Sequence, residues 1–154
     1  MERIEDRLKS LGIELPEPPL PRGSYKAAVL SGNHVYVSGQ LPLADGRLLY
    51  RGKVGSDLSV EEGVEAARVA ALNTLAVLDW CVGGLGRIRR IVRVTGYVAS
   101  AAGFSEQARV MDGASKLYVD VLGDAGRHAR VAVGVAELPL DAPVEIELVA
   151  EAAV

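Results

Sequence analysis

Arg130 is the residue whose neighbours best suit it to grip an organic acid. It lies in His128-Ala129-Arg130-Val131-Ala132-Val133-Gly134-Val135-Ala136, where strand-like alternation sets Val131, Val133 and Val135 on one face and Arg130, Ala132, Gly134 and Ala136 on the other. A guanidinium is permanently charged and presents a planar fork of N–H donors, and small side chains beside it leave a slot that a carboxylate fits. Downstream, Val144-Glu145-Ile146-Glu147-Leu148 alternates again, with Glu145 and Glu147 opposed to the apolar residues. As the two arms of a hairpin, these runs are expected to place a cation and a carboxylate on one surface. Arg and Glu on the outer face of an antiparallel pair are ordinarily solvated or paired across strands, so spacing proposes a site without establishing one.

Other chemistries find little footing. Two histidines, His34 and His128, and one cysteine, Cys81, show no metal-ligand spacing, so no metal is expected. Gly83-Gly84-Leu85-Gly86 follows a helix rather than a strand and reads as a C-cap and turn, so no nucleotide cofactor is expected either. Cys81 sits in an apolar helical stretch as a packed, reduced thiol. A net charge of −3 gives no general attraction to phosphate backbones, which makes nucleic acid an unsuitable main partner. The charged N-terminus lacks a signal-peptide core and no apolar run has membrane-spanning length, which predicts a soluble, cytoplasmic protein.

The 154 residues, 49% of them hydrophobic, suffice for one domain with its own core. Residues 1–22 are expected to add a short amphipathic helix (Ile4, Leu8, Leu11) ended by Gly12, then a proline-rich surface arm. Gly32-Asn33 predicts a hairpin between strands at Ser24–Ser31 and Asn33–Ser38, and Gly39-Gln40-Leu41-Pro42 breaks the second strand, with a glycine amide free to meet a ligand. Asp45-Gly46 marks another turn, before a strand over Arg47–Lys53. Ser59-Val60-Glu61-Glu62 is a capping box opening a helix whose stripe is Val64, Ala67, Ala71, Leu75, Leu78 and Val82. A strand over Arg89–Ala99, with Val92, Val94 and Val98 inward, precedes a second helix from Phe104 to Val121 with Ala108, Met111, Ser115, Tyr118 and Leu122 inward. The order predicts an α+β fold in two layers, a mixed sheet covered on one face by two helices. Strand residues apolar on both sides, Val35 to Val37 with Tyr36, imply that the uncovered face packs on a second copy.

Tyr25, Ser38-Gly39-Gln40-Leu41-Pro42, Asn73 within its helix, and the closing Ala129-Arg130, Leu138-Pro139 and Val144-Glu145-Ile146-Glu147 together resemble the RidA/YjgF/YER057c/UK114 family from about Tyr25 to Ala150. Residues 13–21 and Gly113-Ala114-Ser115 are similar to a longer, less characterised branch. The resemblance implies a chorismate-mutase-like homotrimer with clefts between subunits. It also implies hydrolytic deamination, without cofactor, of reactive 2-imino or enamine acids to 2-oxo acids and ammonia. Arg130 then holds the substrate carboxylate, while Glu145 and the carbonyl near Ala132 orient the attacking water. Ser38, the Gly39 amide and Tyr25 line the cleft, Tyr25 coming from the neighbouring chain. Such chemistry needs no strong nucleophile, since a protonated imine is already electrophilic.

Two departures bear on the substrate. Asp112-Gly113 stands where the best-known branch has an asparagine, so an acid here either repels a carboxylate or bonds an amine. His128 replaces the usual proline and reads first as a solvated loop residue, the alternative being a cleft-rim imidazole that titrates near neutral pH. The alternatives to the deaminase are a trimeric binder or sensor of small carboxylic metabolites, which Asp112 and the arm favour, and an endoribonuclease, which the acidic balance disfavours.

Overall fold

A computed structural model describes residues 2–154 of the chain. Its sheet has five strands in the order β1-β2-β7-β5-β6: β1 (Ala28–Ser31), β2 (His34–Gln40), β7 (Val144–Ala152), β5 (Ile88–Ala99) and β6 (Ala129–Val135). Two further short strands, β3 (Leu43–Ala44) and β4 (Arg47–Leu48), pair around Asp45-Gly46, so the strand expected over Arg47–Lys53 is real only at its start. Helices α2 (Val60–Val82) and α3 (Gln107–Leu122) cover one face of the large sheet, and α1 (Ile4–Ser10) rests against α3. The two-layer α+β architecture is the one the pattern predicts, and among the described residues no helix is long and apolar enough to cross a membrane.

Local chemistry explains most boundaries. Ser59 Oγ accepts from the Glu62 amide while the Glu62 carboxylate accepts from the Ser59 amide, both at 3.1 Å, and Gly83 closes α2 in the left-handed conformation at φ 75°. Gly32, at φ 61°, turns β1 into β2. Beneath α2 and α3 the sheet buries Val94, Val98, Ile146 and Leu148 against Leu75, Leu78, Met111 and Leu117. Each such side chain contributes about 1.5–3 kcal/mol relative to exposure. Gly113 lets the helices touch, because a Cβ there would collide with the Val64 carbonyl of α2.

Three expectations need correcting. β6 and β7 are not a hairpin: β6 runs parallel to β5 at the sheet edge, and β7 lies between β5 and β2. In β5, register shifts between Ile88 and Arg90 and between Ile91 and Arg93 turn Ile91 inward and leave Val92 36% exposed. The inward stripe of α3 is Val110, Met111, Ala114, Leu117, Tyr118, Val121 and Leu122; Ala108 is exposed and Ser115 sits at the margin, where it meets Arg130.

The sheet face away from the helices carries exposed apolar side chains at both flanks, Val29 and Tyr36 on one and Val131 and Val133 on the other. Between them lie polar groups, among which the Tyr97 hydroxyl donates to Glu147 at 2.8 Å.

Candidate active site

The alternation of β6 holds as predicted, and α3 decides what it means. Arg130 faces the helix layer, where its Nη1 donates to Asp112 Oδ1 at 2.9 Å and to Ser115 Oγ at 3.1 Å, and its Nη2 donates to the Ala108 carbonyl at 3.3 Å. Its side chain is 23% exposed and that of Asp112 is 68% exposed. Asp112, a predicted ligand contact, therefore neutralises the guanidinium within its own chain. Ala132 follows on the same face, half-buried. The slot expected beside Gly134 is filled, because a Cβ there would meet the Gln107 amide and the Ser100 hydroxyl.

His128 is not a solvated loop residue. It is half-buried, bonded through Nδ1 to the Gly126 carbonyl at 2.6 Å and through Nε2 to Ser115 Oγ at 2.9 Å. Burial pushes its pKa below the usual imidazole range; the Gly126 carbonyl opposes this and the Arg130 charge reinforces it. Sequence reasoning set Ser115 in the inward stripe of its helix and weighed His128 as a loop or cleft-rim residue, but did not join the two to Arg130. Their signal was present: Asp112 and Ser115 lie three apart on a helix, and His128 and Arg130 two apart on an extended chain.

Tyr25, Gly39 and Glu145 gather elsewhere, around a cavity of about 170 Å³ roofed by Pro19–Arg22 of the arm and floored by Gln40 and Leu41. Gly39 leaves room for the Glu145 carboxylate, which a Cβ there would push aside. Glu145 is half-buried, with no hydrogen-bond partner for its carboxylate among the described residues, and burial first and the Glu147 charge second raise its pKa. Asn73 supports the floor by donating to the Leu41 and Leu43 carbonyls at 2.9 and 3.0 Å. Ser38, predicted to line the cleft, instead donates to the Lys26 carbonyl at 2.6 Å and so fastens the segment carrying Tyr25 to β2.

One chain thus brings Arg130, Asp112 and Ala132 together, and separately Tyr25, Gly39 and Glu145, but does not join the groups. The predicted single surface fails because β7 buries Val144, Ile146 and Leu148 under the helices and turns Glu145 to the opposite face from Arg130. Arg130 is opposite Val94 and Glu145 opposite Tyr97 on the intervening strand β5. The offset is about 10 Å across the strands and about 10 Å along them, more than a small acid spans. Among the described residues no three His, Cys, Asp or Glu side chains converge as a metal site requires.

A family model described as YjgF/chorismate mutase-like, with a provisional endoribonuclease label, matches residues 5–152. Protein TCP17 of Trypanosoma cruzi is 42% identical over 150 residues, covering 97% of this chain and 94% of that protein. The solved structure of Atu1372 from Agrobacterium tumefaciens, a protein of unknown function, superposes with a TM-score of 0.91 at 45% identity, covering 97% of this chain and 92% of the other. A provisionally assigned endoribonuclease from Shewanella oneidensis superposes with a TM-score of 0.94 at 37% identity, covering 97% and 99%.

Proposed function

The chain belongs to the YjgF/chorismate-mutase-like family, and on that premise we propose that it hydrolyses reactive 2-imino or enamine acids to 2-oxo acids and ammonia, in clefts between the copies of a cytoplasmic homotrimer. The observation carrying this reading is the split site: a carboxylate-gripping fork and a raised-pKa carboxylate, each incomplete, on opposite faces of one sheet. A second copy set against the apolar flank of β6 supplies the missing half.

In such a cleft the substrate carboxylate takes the Arg130 fork bidentately. Asp112 has to yield, and its carboxylate, 68% exposed, exchanges the guanidinium for water while the incoming carboxylate restores the charge pairing of the less exposed Arg130. Glu145 of the adjoining copy accepts a hydrogen bond from water and aims it at the imine carbon, with the Gly39 amide and Tyr25 closing the space. Positioning of this kind contributes about 10²–10⁴-fold. The test is to generate imines with an amino-acid oxidase and follow their decay in the presence of the pure protein. Acceleration by the wild type that Arg130→Ala abolishes is expected; no acceleration over buffer removes the reading.

A second reading, a binder of small carboxylic acids without turnover, is favoured by the Asp112 contact, which leaves Arg130 satisfied when empty. Thermal stabilisation by 2-oxo acids without imine turnover selects it. The endoribonuclease label of relatives is not extended to this chain, whose net charge of −3 gives RNA no general attraction.

A further inference from the structure

Ser115 and His128 have no part in the scheme above, yet they form a connected polar chain ending at Arg130. The Gly126 carbonyl can only accept, so the His128 Nδ1 facing it at 2.6 Å carries the proton. Nε2 is left as the acceptor, and the Ser115 hydroxyl, 2.9 Å away, donates to it. The Ser115 oxygen then offers its lone pairs to Arg130 Nη1 at 3.1 Å. The buried Tyr118 ring stands edge-on to the imidazole, with centroids 5.6 Å apart and planes at 88°, so packing as well as hydrogen bonding fixes the ring. The charged groups around it are Arg130 on β6 and Asp112 on α3, while Arg127 and Asp124 of the preceding turn pair with each other at 3.2 Å.

We propose that Ser115 and His128 form a proton relay for a ligand seated on Arg130, with Ser115 as the catalytic residue that touches it and His128 as a positioning residue behind. This rests on the deaminase reading. In imine hydrolysis the water oxygen bonds to the imine carbon and the C=N π pair moves to nitrogen. Starting from the protonated imine, one proton must then leave that oxygen and the nitrogen must gain one before the C–N bond breaks and its pair departs with ammonia. The oxygen's second proton is released as the C=O bond forms and is taken up by the ammonia, which leaves as ammonium. Ser115 Oγ takes the proton from the adduct as its own passes to His128 Nε2. The reverse transfer delivers a proton through the same hydroxyl to nitrogen, so the pair ends as it began and nothing else is consumed. Arg130 disfavours a charged imidazole in the empty site. A carboxylate on the guanidinium offsets that charge and brings the protonated relay within reach.

The experiment compares steady-state imine hydrolysis by the full chain with that of Ser115→Ala, Ser115→Thr, His128→Ala and His128→Gln. Ser115→Ala and His128→Ala are expected to lower kcat about 10²-fold with little change in KM, and Ser115→Thr to restore most of the loss. Glu145 and His128 both titrate on the acid side, so log kcat should fall there with a slope near about two in the wild type and about one in His128→Gln. Independently of turnover, the imidazole ¹⁵N shifts of His128 are expected to report Nδ1 protonated and Nε2 bare at neutral pH. The opposite tautomer overturns the relay. An unchanged kcat in Ser115→Ala, or a loss confined to KM, overturns the relay while Arg130→Ala still abolishes activity and the deaminase reading stands. A wild type without activity overturns both.

Discussion

The Arg130 corner and the Glu145 cavity solve opposite problems with the same sheet. At the corner, α3 wraps a cation in partners from Asp112, Ser115 and the Ala108 carbonyl, so its geometry is set before a ligand arrives. In the cavity, a glycine and a proline-rich roof hold a carboxylate half out of water with no partner among the described residues, and its charge is costly. One region is preorganised and the other is poised, and a cleft containing both can bind and then react.

The sharpest way to break the contrast is at the corner. Arg130→Ala removes two charge-assisted hydrogen bonds to a bound acid, about 1.5–3 kcal/mol each, so kcat/KM should fall by more than about 10²-fold. The same change should lower stability by only about 1–2 kcal/mol, less than its effect on kcat/KM, since Arg130 loses an ion pair to a mostly exposed Asp112 and its bonds to Ser115 and the Ala108 carbonyl. A matching loss in a melting curve contradicts the assignment. In the cavity, Gly39→Ala pushes the Glu145 carboxylate off its seat and should cost about 10²-fold in kcat with the fold retained by circular dichroism.

Gly113→Ala tests the scaffold that the corner depends on. A methyl group forced against the Val64 carbonyl separates α3 from α2 and should destabilise the chain by about 1–3 kcal/mol in denaturant unfolding. Smallest is the pH effect at Glu145. Its pKa is raised in the fold, so its charge costs stability above that value, and the cost disappears as pH falls below the unfolded value. Glu145→Gln should therefore melt slightly higher than wild type at pH 7 and equally near pH 4, while activity is lost throughout. In the wild type, activity should fall as pH is lowered through a point above the ordinary carboxylate range.

Elements with local causes were legible in the chain itself. The Ser59–Glu62 box, the Gly32-Asn33 turn and the alternation of β6 and β7 all stand where the pattern puts them. What the sequence hid was relational. Alternation says that Arg130 and Val131 face opposite ways, but only the parallel pairing of β6 with β5 decides that Arg130 meets α3. Likewise, one irregularity in β5 exchanged Val92 for Ile91 in the core, and a shift of phase in α3 freed Ser115 for the corner. Of the residues that the family resemblance names, Tyr25, Gly39 and Glu145 line one cavity while Arg130 lies apart from it against α3, and the Asp112 contact and the His128 tether came only from geometry.

The most direct test of the split site is to mix two inactive chains. Arg130→Ala keeps its cavity and Glu145→Gln keeps its corner, so refolding them together should restore activity, up to about a quarter of wild type for random three-membered rings. Activity that stays at the level of the separate variants, in rings shown by native mass spectrometry to be mixed, contradicts a site built from the corner of one copy and the cavity of the next.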